Sequence, residues 1–380
     1  MKILYTCTYS AGISGVWNRV YNLALEMVKK GHEVYVFSSN LEAGTLKKVK
    51  DYENVDGINI FRFNVKQIGS KNAFDFSISA EKMRERLKEI MPDVVDCQTY
   101  RHSEGNIISK ECGKLGIPCF LTTHAPFVDF FFRGFLLGSF AFFYDVFVGR
   151  KILKRFKKII AITKWEYPYL SRLGVSKEKI VYSPNGIPSE FFSIKRRDGR
   201  KNEVLFFGRV SAVKNIETLV KAAKILNEKG IKLELRIVGP VDSDYGKEIK
   251  KRVEKDRIKN IKFHPAVYNL KEKIKVYDNC KIFVLPSKRE GMPQALIEAM
   301  SRGKVVVASD IPACKELVSN CKNGFTFPLG NASALALKIE SCLKAYDKLG
   351  NVRKSAVKFA SGFKWRDIVD ELERVYRNRQ

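Results

Sequence analysis

The chain has 380 residues, 45% of them hydrophobic, which is enough for two domains with sizeable cores. Its formal net charge of +28 at pH 7 attracts anions such as nucleotides, anionic lipids or nucleic acid, but does not select among them. The sequence contains no run of about 20 apolar residues that would span a bilayer. Its eight cysteines form neither a C-x-x-C pair nor a cluster with histidine at metal-ligand spacing, which excludes a zinc module and indicates reduced thiols in a cytosolic protein.

Short β-rich runs alternate with helical patterns along the first half of the chain. The first run predicts a strand rather than a signal peptide. The predicted strands of this half are Lys2–Thr6, Glu33–Ser38, Ile58–Phe63, Asp93–Cys97, Pro118–Thr122, Lys158–Ile162 and Lys179–Ser183. Helical patterns such as Val16–Lys30 and Ala80–Ile90 lie between them. This alternation predicts a parallel sheet with helices on both faces.

A glycine turn, Ala11-Gly12-Ile13-Ser14-Gly15, follows the first strand and opens the predicted helix from Val16. Such a turn presents backbone N–H groups and the positive end of a helix dipole to a phosphate. Many strand–helix turns carry glycine, so this signal is weak by itself.

His124 follows the predicted strand Pro118–Thr122 and should lie at the carboxyl edge of the sheet, where ligands bind in this fold class. A neutral imidazole there can hydrogen-bond a sugar hydroxyl or carbonyl. A lone histidine is more often structural, and both interpretations stay open on this segment alone.

One segment, residues 127–147, breaks the alternation and contains ten aromatic residues. It is too short and too charged to span a bilayer. A basic run follows directly, formed by Arg150, Lys151, Lys154, Arg155, Lys157 and Lys158. Apolar bulk beside a basic run is typical of a helix at the interface of anionic lipid, so residues 127–158 form a candidate membrane-contact segment. The alternative is a buried helix that closes the first domain.

The segment Pro184–Arg200 is rich in turn residues and then in charge, and it predicts a linker. The alternation restarts after it with strands Glu203–Phe207, Leu233–Val238, Ile261–His264, Lys281–Leu285, Lys304–Ala308 and Gly324–Phe327. We therefore expect an N-terminal domain over 1–188, a C-terminal domain over 189–361, and a final helical segment, 362–380, that packs back on the N-terminal domain. Two facing doubly wound domains would form a cleft between the carboxyl edges of their sheets.

The second domain opens with a strand, Gly208 and Arg209, and Lys214 follows five residues later at the start of a helix. Arginine offers paired donors to phosphate oxygens, and lysine offers a point charge. On this segment alone, a phosphate site and two ordinary surface cations are equally acceptable interpretations.

Glu290 and Glu298 occupy the turn and the helix that follow the strand Lys281–Leu285. Pro293 suits the first turn of that helix, where a missing N–H costs nothing. Eight helical positions span roughly 12 Å, whereas the paired carboxylates of a glycosidase lie about 5–9.5 Å apart. Two carboxylates at the longer spacing can hold the hydroxyls of a sugar and of a ribose at opposite ends of one diphosphate-linked ligand. The alternative is a helix with solvent-facing glutamates.

Taken together, these segments resemble the family 4 retaining glycosyltransferases, which have the GT-B fold of two facing Rossmann-like domains. The similarity runs nearly end to end, in the order typical of the family. Its motifs are Gly15 with Gly31-His32-Glu33-Val34, Ala161-Ile162-Thr163, Val181–Ile187, Phe207–Ser211 with Lys214, Glu290–Met300, Ala308–Pro312, Glu316-Leu317-Val318 and Asn323-Gly324-Phe325. The E-x7-E pair, Glu290 and Glu298, is the most informative of them.

The resemblance implies a transfer of a sugar, with retention, from a nucleoside-diphosphate sugar to a sugar or lipid-linked acceptor. The implied roles are Arg209, Lys214 and Gly15 at the donor diphosphate, Glu298 at the ribose, Glu290 and His124 beside the reacting sugar, and Gly291, Met292 and Pro293 as the loop around sugar and phosphate. No metal or other cofactor is expected, because Arg209 and Lys214 supply the positive charge that a bound metal ion would otherwise supply.

Three features depart from the family pattern. Ser14-Gly15 stands where the family often has two glycines, and Pro265 stands near the expected nucleobase site where a glycine is common. The aromatic block 127–147 is not a general family feature and belongs to the half that normally binds acceptor. It suggests an acceptor at a membrane surface, and a cytoplasmic protein held peripherally at the inner face of the cell membrane.

Two other classes of protein remain as alternatives. Nucleotide-sugar epimerases and phosphorylases share the two-domain plan, although nothing in the sequence supports a pyridoxal site. A non-catalytic basic protein that binds membrane or nucleic acid is the other class. Nucleic-acid binding is not expected, because the basic residues are not interleaved with aromatic residues as a stacking platform.

Overall fold

The computed structural model describes residues 1–12, 14–68, 74–127, 135–197, 199, 202–241, 244–256 and 258–378. The chain forms two compact units. The first unit comprises Met1–Asn185 together with Trp365–Gln380, and the second comprises Gly186–Lys364. The first break therefore lies three residues before the predicted boundary at 188, inside the turn-rich segment.

The first unit contains an eight-stranded sheet with the order β10-β9-β8-β7-β1-β2-β4-β3. Its strands are β1 (Lys2–Thr6), β2 (Glu33–Ser39), β3 (Tyr52–Val55), β4 (Ile58–Phe63), β7 (Val94–Gln98), β8 (Cys119–Thr122), β9 (Lys158–Ala161) and β10 (Ile180–Tyr182). The short strands β5 (Lys66–Gln67) and β6 (Phe74–Asp75) form a separate antiparallel pair. All strands of the large sheet run parallel except β3, which pairs antiparallel with β4 at the edge. Chain order reverses between β1 and β7, so the crevice at their carboxyl ends is the expected ligand position of this sheet.

Helices cover both faces of this sheet, as predicted. They are α1 (Gly15–Lys29), α2 (Ala80–Ile90), α3 (Ser103–Leu115), α4 (Phe135–Tyr144), α5 (Arg150–Leu153), α6 (Tyr167–Arg172) and a C-terminal helix (Trp365–Arg377). Successive residues of β1 enter different cores: Ile3 and Tyr5 pack in one hydrophobic cluster and Leu4 in the other. Alternation along a strand thus builds a core on each face of the sheet.

The C-terminal helix packs on the first unit although it follows the whole of the second in sequence. Its apolar side, which includes Trp365, Val369 and Leu372, is buried in the core that contains α1 and the inner strands. Glu373 reinforces the contact, accepting from Lys30 at 2.7 Å and pairing with His32 at 3.0 Å.

The second unit contains a six-stranded parallel sheet with the order β13-β12-β11-β14-β15-β16. Its strands are β11 (Glu203–Phe207), β12 (Glu234–Val238), β13 (Ile261–His264), β14 (Ile282–Leu285), β15 (Val305–Ser309) and β16 (Phe325–Phe327). Its helices are α7 (Glu190–Ser193), α8 (Ile216–Glu228), α9 (Asp244–Lys255), α10 (Leu270–Asn279), α11 (Gln294–Ser301), α12 (Pro312–Leu317), α13 (Ala332–Lys344) and α14 (Gly350–Ala360). Chain order reverses between β11 and β14, which makes their carboxyl ends the expected ligand site of this unit.

The aromatic block is described only in part. Residues 128–134 lie outside the described residues. Phe127 is buried and stacks on Tyr169, with ring centroids 5.6 Å apart. Phe142, Phe143 and Phe147 are 60%, 57% and 65% exposed, so they do not form the buried covering helix of the alternative interpretation. Among the described residues, no helix is both long and apolar enough to cross a membrane.

Candidate functional site

A tight backbone turn lies at the carboxyl end of β11 in the second unit. Gly208 has φ 151°, and Gly239, after the neighbouring β12, has φ 147°. A Cβ on Gly239 would lie 2.1 Å from the Gly208 carbonyl oxygen, so only glycine allows the two strand ends to approach this closely. Arg209, the residue after Gly208, is exposed. Its guanidinium is therefore carried at the carboxyl edge of the sheet and faces solvent.

The loop after β11 is tied to the loop after β14. Asn215 has a left-handed backbone with φ 55°, and its side-chain amide donates to the Pro286 carbonyl at 3.1 Å. The Lys288 N–H donates to the Val213 carbonyl at 2.8 Å. These bonds position Lys214, which lies between Val213 and Asn215, beside the β14 loop.

Lys214 and Glu290 form an ion pair at this point. Lys214 Nζ lies 2.6 Å from Glu290 Oε1, and the Ser287 hydroxyl donates to the same oxygen at 2.6 Å. The Glu290 side chain is 11% exposed. Two predicted site residues from different strand–helix turns thus meet at the reversal of strand order.

Glu290 lies in the loop before α11, which begins only at Gln294. The spacing of roughly 12 Å expected from eight helical positions therefore does not apply to Glu290 and Glu298, because the first part of the segment is not helical. Pro293 is the residue before the helix rather than a residue of its first turn. Met292 and Pro293 are buried and Gly291 is half-buried.

Glu298 is buried in the middle of α11. Its Oε1 accepts from Lys273 Nζ at 2.6 Å, and its Oε2 accepts from the Tyr277 hydroxyl at 2.8 Å. Burial, with the nearby Glu298 charge, raises the pKa of Tyr277 well above its usual value, so the phenol remains a donor. Each carboxylate oxygen keeps a further lone pair for another donor. Glu298 is therefore not the solvent-facing glutamate of the alternative interpretation.

Lys273 and Tyr277 are candidate site residues that the sequence analysis missed. They lie four residues apart on α10 and therefore on one face of that helix. The Lys273 ammonium also lies 5.2 Å from the centroid of the Phe207 ring, at the end of β11. A lysine and a tyrosine at helical spacing are too common to indicate a site from sequence.

Gly12 and Gly15, the two glycines of the first unit's glycine turn, have different structural roles. Gly12 has φ 74°, and a Cβ there would lie 2.5 Å from the Ala43 carbonyl oxygen. Both the left-handed backbone and the lack of space require a glycine at this position. Gly15 begins α1, is exposed, and would accommodate a Cβ with nothing within 4 Å. Ser14 caps the helix by accepting from the Trp17 N–H at 3.4 Å. Gly15 is thus placed at a helix N-terminus, the position expected for a phosphate contact.

His124 lies just beyond the carboxyl end of β8, in the same unit. Its backbone and that of Ala125 are left-handed, with φ 56° and 52°. The imidazole Nε2 lies 2.8 Å from Gln98 Oε1. Burial, and then repulsion by the Arg19 guanidinium, holds the pKa of His124 well below its ordinary value. The ring is therefore neutral at neutral pH.

A chain of hydrogen bonds connects His124 to the C-terminal helix. The Tyr376 hydroxyl donates to Asp96 Oδ2 at 2.6 Å, and the Thr122 hydroxyl lies 2.9 and 3.1 Å from the two Asp96 oxygens. Since Thr122 gives its only proton to the carboxylate, it accepts from Gln98 Nε2, at 3.3 Å. The Gln98 oxygen then faces His124, whose Nε2 must carry the proton. Nδ1 is left as an acceptor.

Arg19, in the first unit, is a further residue that sequence reasoning missed. It lies on the buried side of α1. Its guanidinium donates to the Pro184 carbonyl at 2.7 Å, to Asn185 Oδ1 at 3.1 Å and to the Ser183 hydroxyl at 3.0 Å. Arg19 thus holds the segment Ser183-Pro184-Asn185 against α1, which gives this Ser-Pro-Asn motif a structural role. Within the described part of the chain, no group of three or more His, Cys, Asp or Glu side chains could hold a metal ion.

Two family models match the chain, one for each half. "Glycosyltransferase Family 4" matches residues 13–191, and "Glycosyl transferases group 1" matches residues 189–359. Among similar curated proteins, the amylovoran biosynthesis glycosyltransferase AmsK of Erwinia amylovora is 32% identical over 185 residues. That alignment spans 45% of this chain and less than half, 44%, of AmsK.

Other relatives align over greater length. The uncharacterized glycosyltransferase MJ1178 of Methanocaldococcus jannaschii is 22% identical over 99% of this chain and 98% of its own. The alpha-monoglucosyldiacylglycerol synthase of Streptococcus pneumoniae is 26% identical over 83% of this chain and 73% of its own. The first is similar over nearly its whole length.

Solved structures share the fold. A glycosyltransferase from Rickettsia africae has a TM-score of 0.78 at 19% identity, covering 99% of this chain and 97% of that one. Anabaena Alr3699/HepE in complex with UDP and glucose has a TM-score of 0.75 at 18% identity, covering 99% of both chains. At such identities the likeness establishes the architecture, and with the two sheets, parallel except for the edge strand β3, it confirms the predicted GT-B fold.

Proposed function

We propose that this chain, a glycosyltransferase of the GT-B fold whose halves match the family 4 and group 1 models, moves a hexose-type sugar from a nucleoside-diphosphate sugar to an acceptor with retention. The observation that carries the proposal is the Lys214–Glu290 pair at the reversal of strand order in the second unit. It combines a cation for phosphate and a carboxylate for a sugar where this architecture binds ligands.

The charges of the second unit suit a diphosphate leaving group. When the bond between sugar and diphosphate breaks, negative charge grows on the diphosphate. Arg209, exposed at the sheet edge, and Lys214, 26% exposed, stabilise that charge. Lys214 then shares its ammonium between Glu290 and the phosphate. Gly15, at the start of α1, is the candidate phosphate contact of the first unit.

Positive charge grows on the sugar in the same step, at the anomeric carbon. Glu290 stabilises it or orients the sugar hydroxyls, with Gly291, Met292 and Pro293 forming the adjoining loop. A retaining reaction on one face of the sugar needs no covalent intermediate on Glu290. His124 is the first unit's candidate for the reacting sugar, with its Nδ1 accepting from a hydroxyl.

Glu298 is the proposed ribose ligand. Its two oxygens already accept from Lys273 and Tyr277, and those donors hold the carboxylate in one orientation. A ribose hydroxyl would donate to a remaining lone pair. The similar Anabaena structure contains UDP, so UDP-sugars are the first donors to test.

We also propose that the acceptor is lipid-linked or lies at an anionic membrane surface, and that the product belongs to a surface glycan or a glycolipid. Phe142, Phe143 and Phe147 are exposed, and the exposed Arg150 and Lys151 follow at once in sequence. Aromatic groups beside cations favour the interface of anionic lipid. This would place the protein peripherally on the inner face of the cell membrane.

The experiment that tests the transfer uses purified protein, a membrane-lipid extract and UDP-, GDP- or ADP-sugars labelled in the sugar. The proposal expects one donor to release its nucleoside diphosphate and to pass label to an acceptor in the extract, with an α-linked product from an α-linked donor. An epimerase would convert the sugar of the donor without labelling any acceptor. Donor conversion without transfer would therefore contradict the proposal.

A further inference from the structure

We propose that the second unit carries a separate anion site, for a small phosphorylated ligand, at the amino end of its sheet. A cavity of about 340 Å³ opens between the segment after α7 and helix α14. Its lining includes Arg196, Arg197, Arg302, Gly303, Arg353 and Lys354. No acidic side chain is among the described residues that line it.

This cavity lies away from the candidate donor site. Arg302 and Gly303 follow the last residue of α11 and precede β15. The candidate donor residues lie instead at the carboxyl ends of β11 and β14 and before α11. A helix that connects two parallel neighbouring strands runs antiparallel to them, so the two ends of α11 lie at opposite edges of the sheet.

Two buried cations, Arg302 and Lys304, hold the backbone of the segment that forms one wall of the cavity. Arg302 donates to both Asp278 carboxylate oxygens at 2.9 and 2.8 Å and to the carbonyls of Phe191 and Ile194, each at 2.8 Å. A further bond at 3.1 Å to the Lys195 carbonyl uses the last of its five N–H groups. Arg302 therefore positions the wall and does not serve a ligand.

Lys304 supports the same wall. Its ammonium is buried and donates to the carbonyls of Arg197 and Asp278 at 2.8 and 2.9 Å. The side chains of Arg196 and Arg197, both exposed, thus extend from a backbone that is held in place. A preorganised backbone lowers the entropic cost of binding an anion between them.

Cationic groups converge on Gly303. Arg353 Nε donates to the Gly303 carbonyl at 2.8 Å. Arg196 Nη1 lies 3.9 Å from the position that a Cβ on Gly303 would occupy. Arg353 and Lys354 also lie near the start of α14, whose first turn has no acidic residue. Cations are unfavourable at that end of a helix dipole. An anion in the cavity would offset the repulsion among these cations and their unfavourable interaction with the helix dipole.

The chemistry of the lining favours phosphate. Guanidinium groups bind phosphate oxygens with paired hydrogen bonds, and the cavity is at the small end of the range of about 300–1,000 Å³ for ligand sites. The phosphate can come from a soluble phosphorylated compound or from a phospholipid headgroup. The inference does not depend on the proposed transfer reaction.

Calorimetric titration with inorganic pyrophosphate tests the site, because it needs no sugar donor. The candidate donor site also binds pyrophosphate if its assignment is correct, so the titration is run on Lys214→Ala as background. In that background, Arg196→Ala/Arg197→Ala should weaken the remaining binding at least tenfold. The matched control, Lys250→Ala/Lys251→Ala on α9, removes the same charge from exposed positions and should leave binding unchanged. Melting curves in phosphate-free buffer check that each variant folds.

Absence of binding in the Lys214→Ala background would overturn the proposal, as would equal binding by the two double variants. Vesicles of phosphatidic acid in phosphatidylcholine distinguish the source. Vesicle binding that is lost only in Arg196→Ala/Arg197→Ala supports a headgroup ligand. If Arg196→Ala/Arg197→Ala loses pyrophosphate binding but keeps vesicle binding, the result supports a soluble ligand. Both results support the site, whether or not sugar transfer is found.

Discussion

Lys214 Nζ and Glu290 Oε1 lie 2.6 Å apart, although the two residues lie in the loops after two different strands, β11 and β14. The pair exists because the loops after β11 and β14 are joined by backbone and amide hydrogen bonds. This arrangement leads to the first prediction, which concerns the leaving group.

Lys214→Ala should reduce kcat for sugar transfer by about 10²–10³, because it removes a preorganised cation from the developing diphosphate charge. Lys214→Arg should retain part of the activity. The matched control is Lys288→Ala, which removes a lysine of the neighbouring loop that pairs with Glu217 at 3.2 Å. Initial rates of nucleoside diphosphate release measure the effect. Equal losses in Lys214→Ala and Lys288→Ala would show that Lys214 has no specific role.

The second prediction concerns the His124 tautomer. In protein labelled at histidine, nitrogen NMR should show His124 neutral, protonated at Nε2, down to pH values below its ordinary pKa of about 6.5. Thr122→Val breaks the hydrogen-bond chain between Asp96 and Gln98 and should allow the other tautomer to appear. His264, with its different surroundings in the second unit, is an internal reference. A wild-type His124 protonated at Nδ1 alone would contradict the chain.

The third prediction concerns Asp96. Burial raises its pKa to about 6 in the folded protein, from an ordinary value of 3.8. The folded state therefore binds the proton more tightly than the unfolded state, and ionisation of Asp96 destabilises the fold as pH rises through that window. Asp96→Asn removes this penalty.

Its change in unfolding free energy, relative to wild type, should thus be more favourable at about pH 7.5 than at about pH 4. Denaturant titrations of both proteins at the two pH values measure it, and their difference cancels the contributions of other groups. The same relative stability at both pH values would mean that the carboxyl is not perturbed by burial.

The fourth prediction concerns the exposed aromatic residues. Phe142→Glu/Phe147→Glu should weaken binding to vesicles that contain anionic lipid, because it removes apolar area and adds negative charge beside Arg150 and Lys151. Tyr268→Glu is the control, since Tyr268 is 72% exposed in the second unit. Co-sedimentation with vesicles measures the loss. Unchanged sedimentation of the double phenylalanine variant would contradict the proposed membrane contact of the exposed aromatic residues.

Alternation of strands and helices was sufficient to predict both sheets. Each long strand was placed within one residue, because buried parallel strands are short continuous apolar runs. The edge strand β3 was missed, since its residues, such as Glu53 and Asn54, are polar and gain their order from pairing with β4. Propensity alone does not reveal such tertiary pairing.

In the candidate site, too, residues with a local sequence signal were predicted and residues that depend on tertiary contacts were missed. Motif residues such as Arg209 and Glu290 were predicted as site residues because the segments that contain them resemble a known family, and these assignments stay predictions. Lys273, Tyr277 and Gln98 act through contacts with other segments, and nothing in their local sequence distinguishes them from surface residues. The predicted spacing of Glu290 and Glu298 assumed a helix from one residue to the other, whereas helix α11 begins only at Gln294.

The central claim is that Glu298 helps to bind a nucleoside-diphosphate sugar. Replacing it also disturbs the native state, because Glu298→Ala leaves the Tyr277 hydroxyl and the Lys273 ammonium without their acceptor. The loss of stability should be about 1–3 kcal/mol. Each variant must therefore be compared with its own melting curve without ligand. Glu254→Ala, at an exposed position of α9, is the control.

The most direct test is the thermal shift of wild type, Glu298→Ala and Glu254→Ala with UDP-, GDP- and ADP-sugars. A ligand at about a hundredfold excess over its dissociation constant adds about 2.7 kcal/mol to the stability of the folded state. We predict that one class of nucleotide sugar raises Tm in wild type and Glu254→Ala, and that the rise is much smaller in Glu298→Ala. An equal rise in Glu298→Ala, or no rise with any of the three classes in wild type, would contradict the donor site.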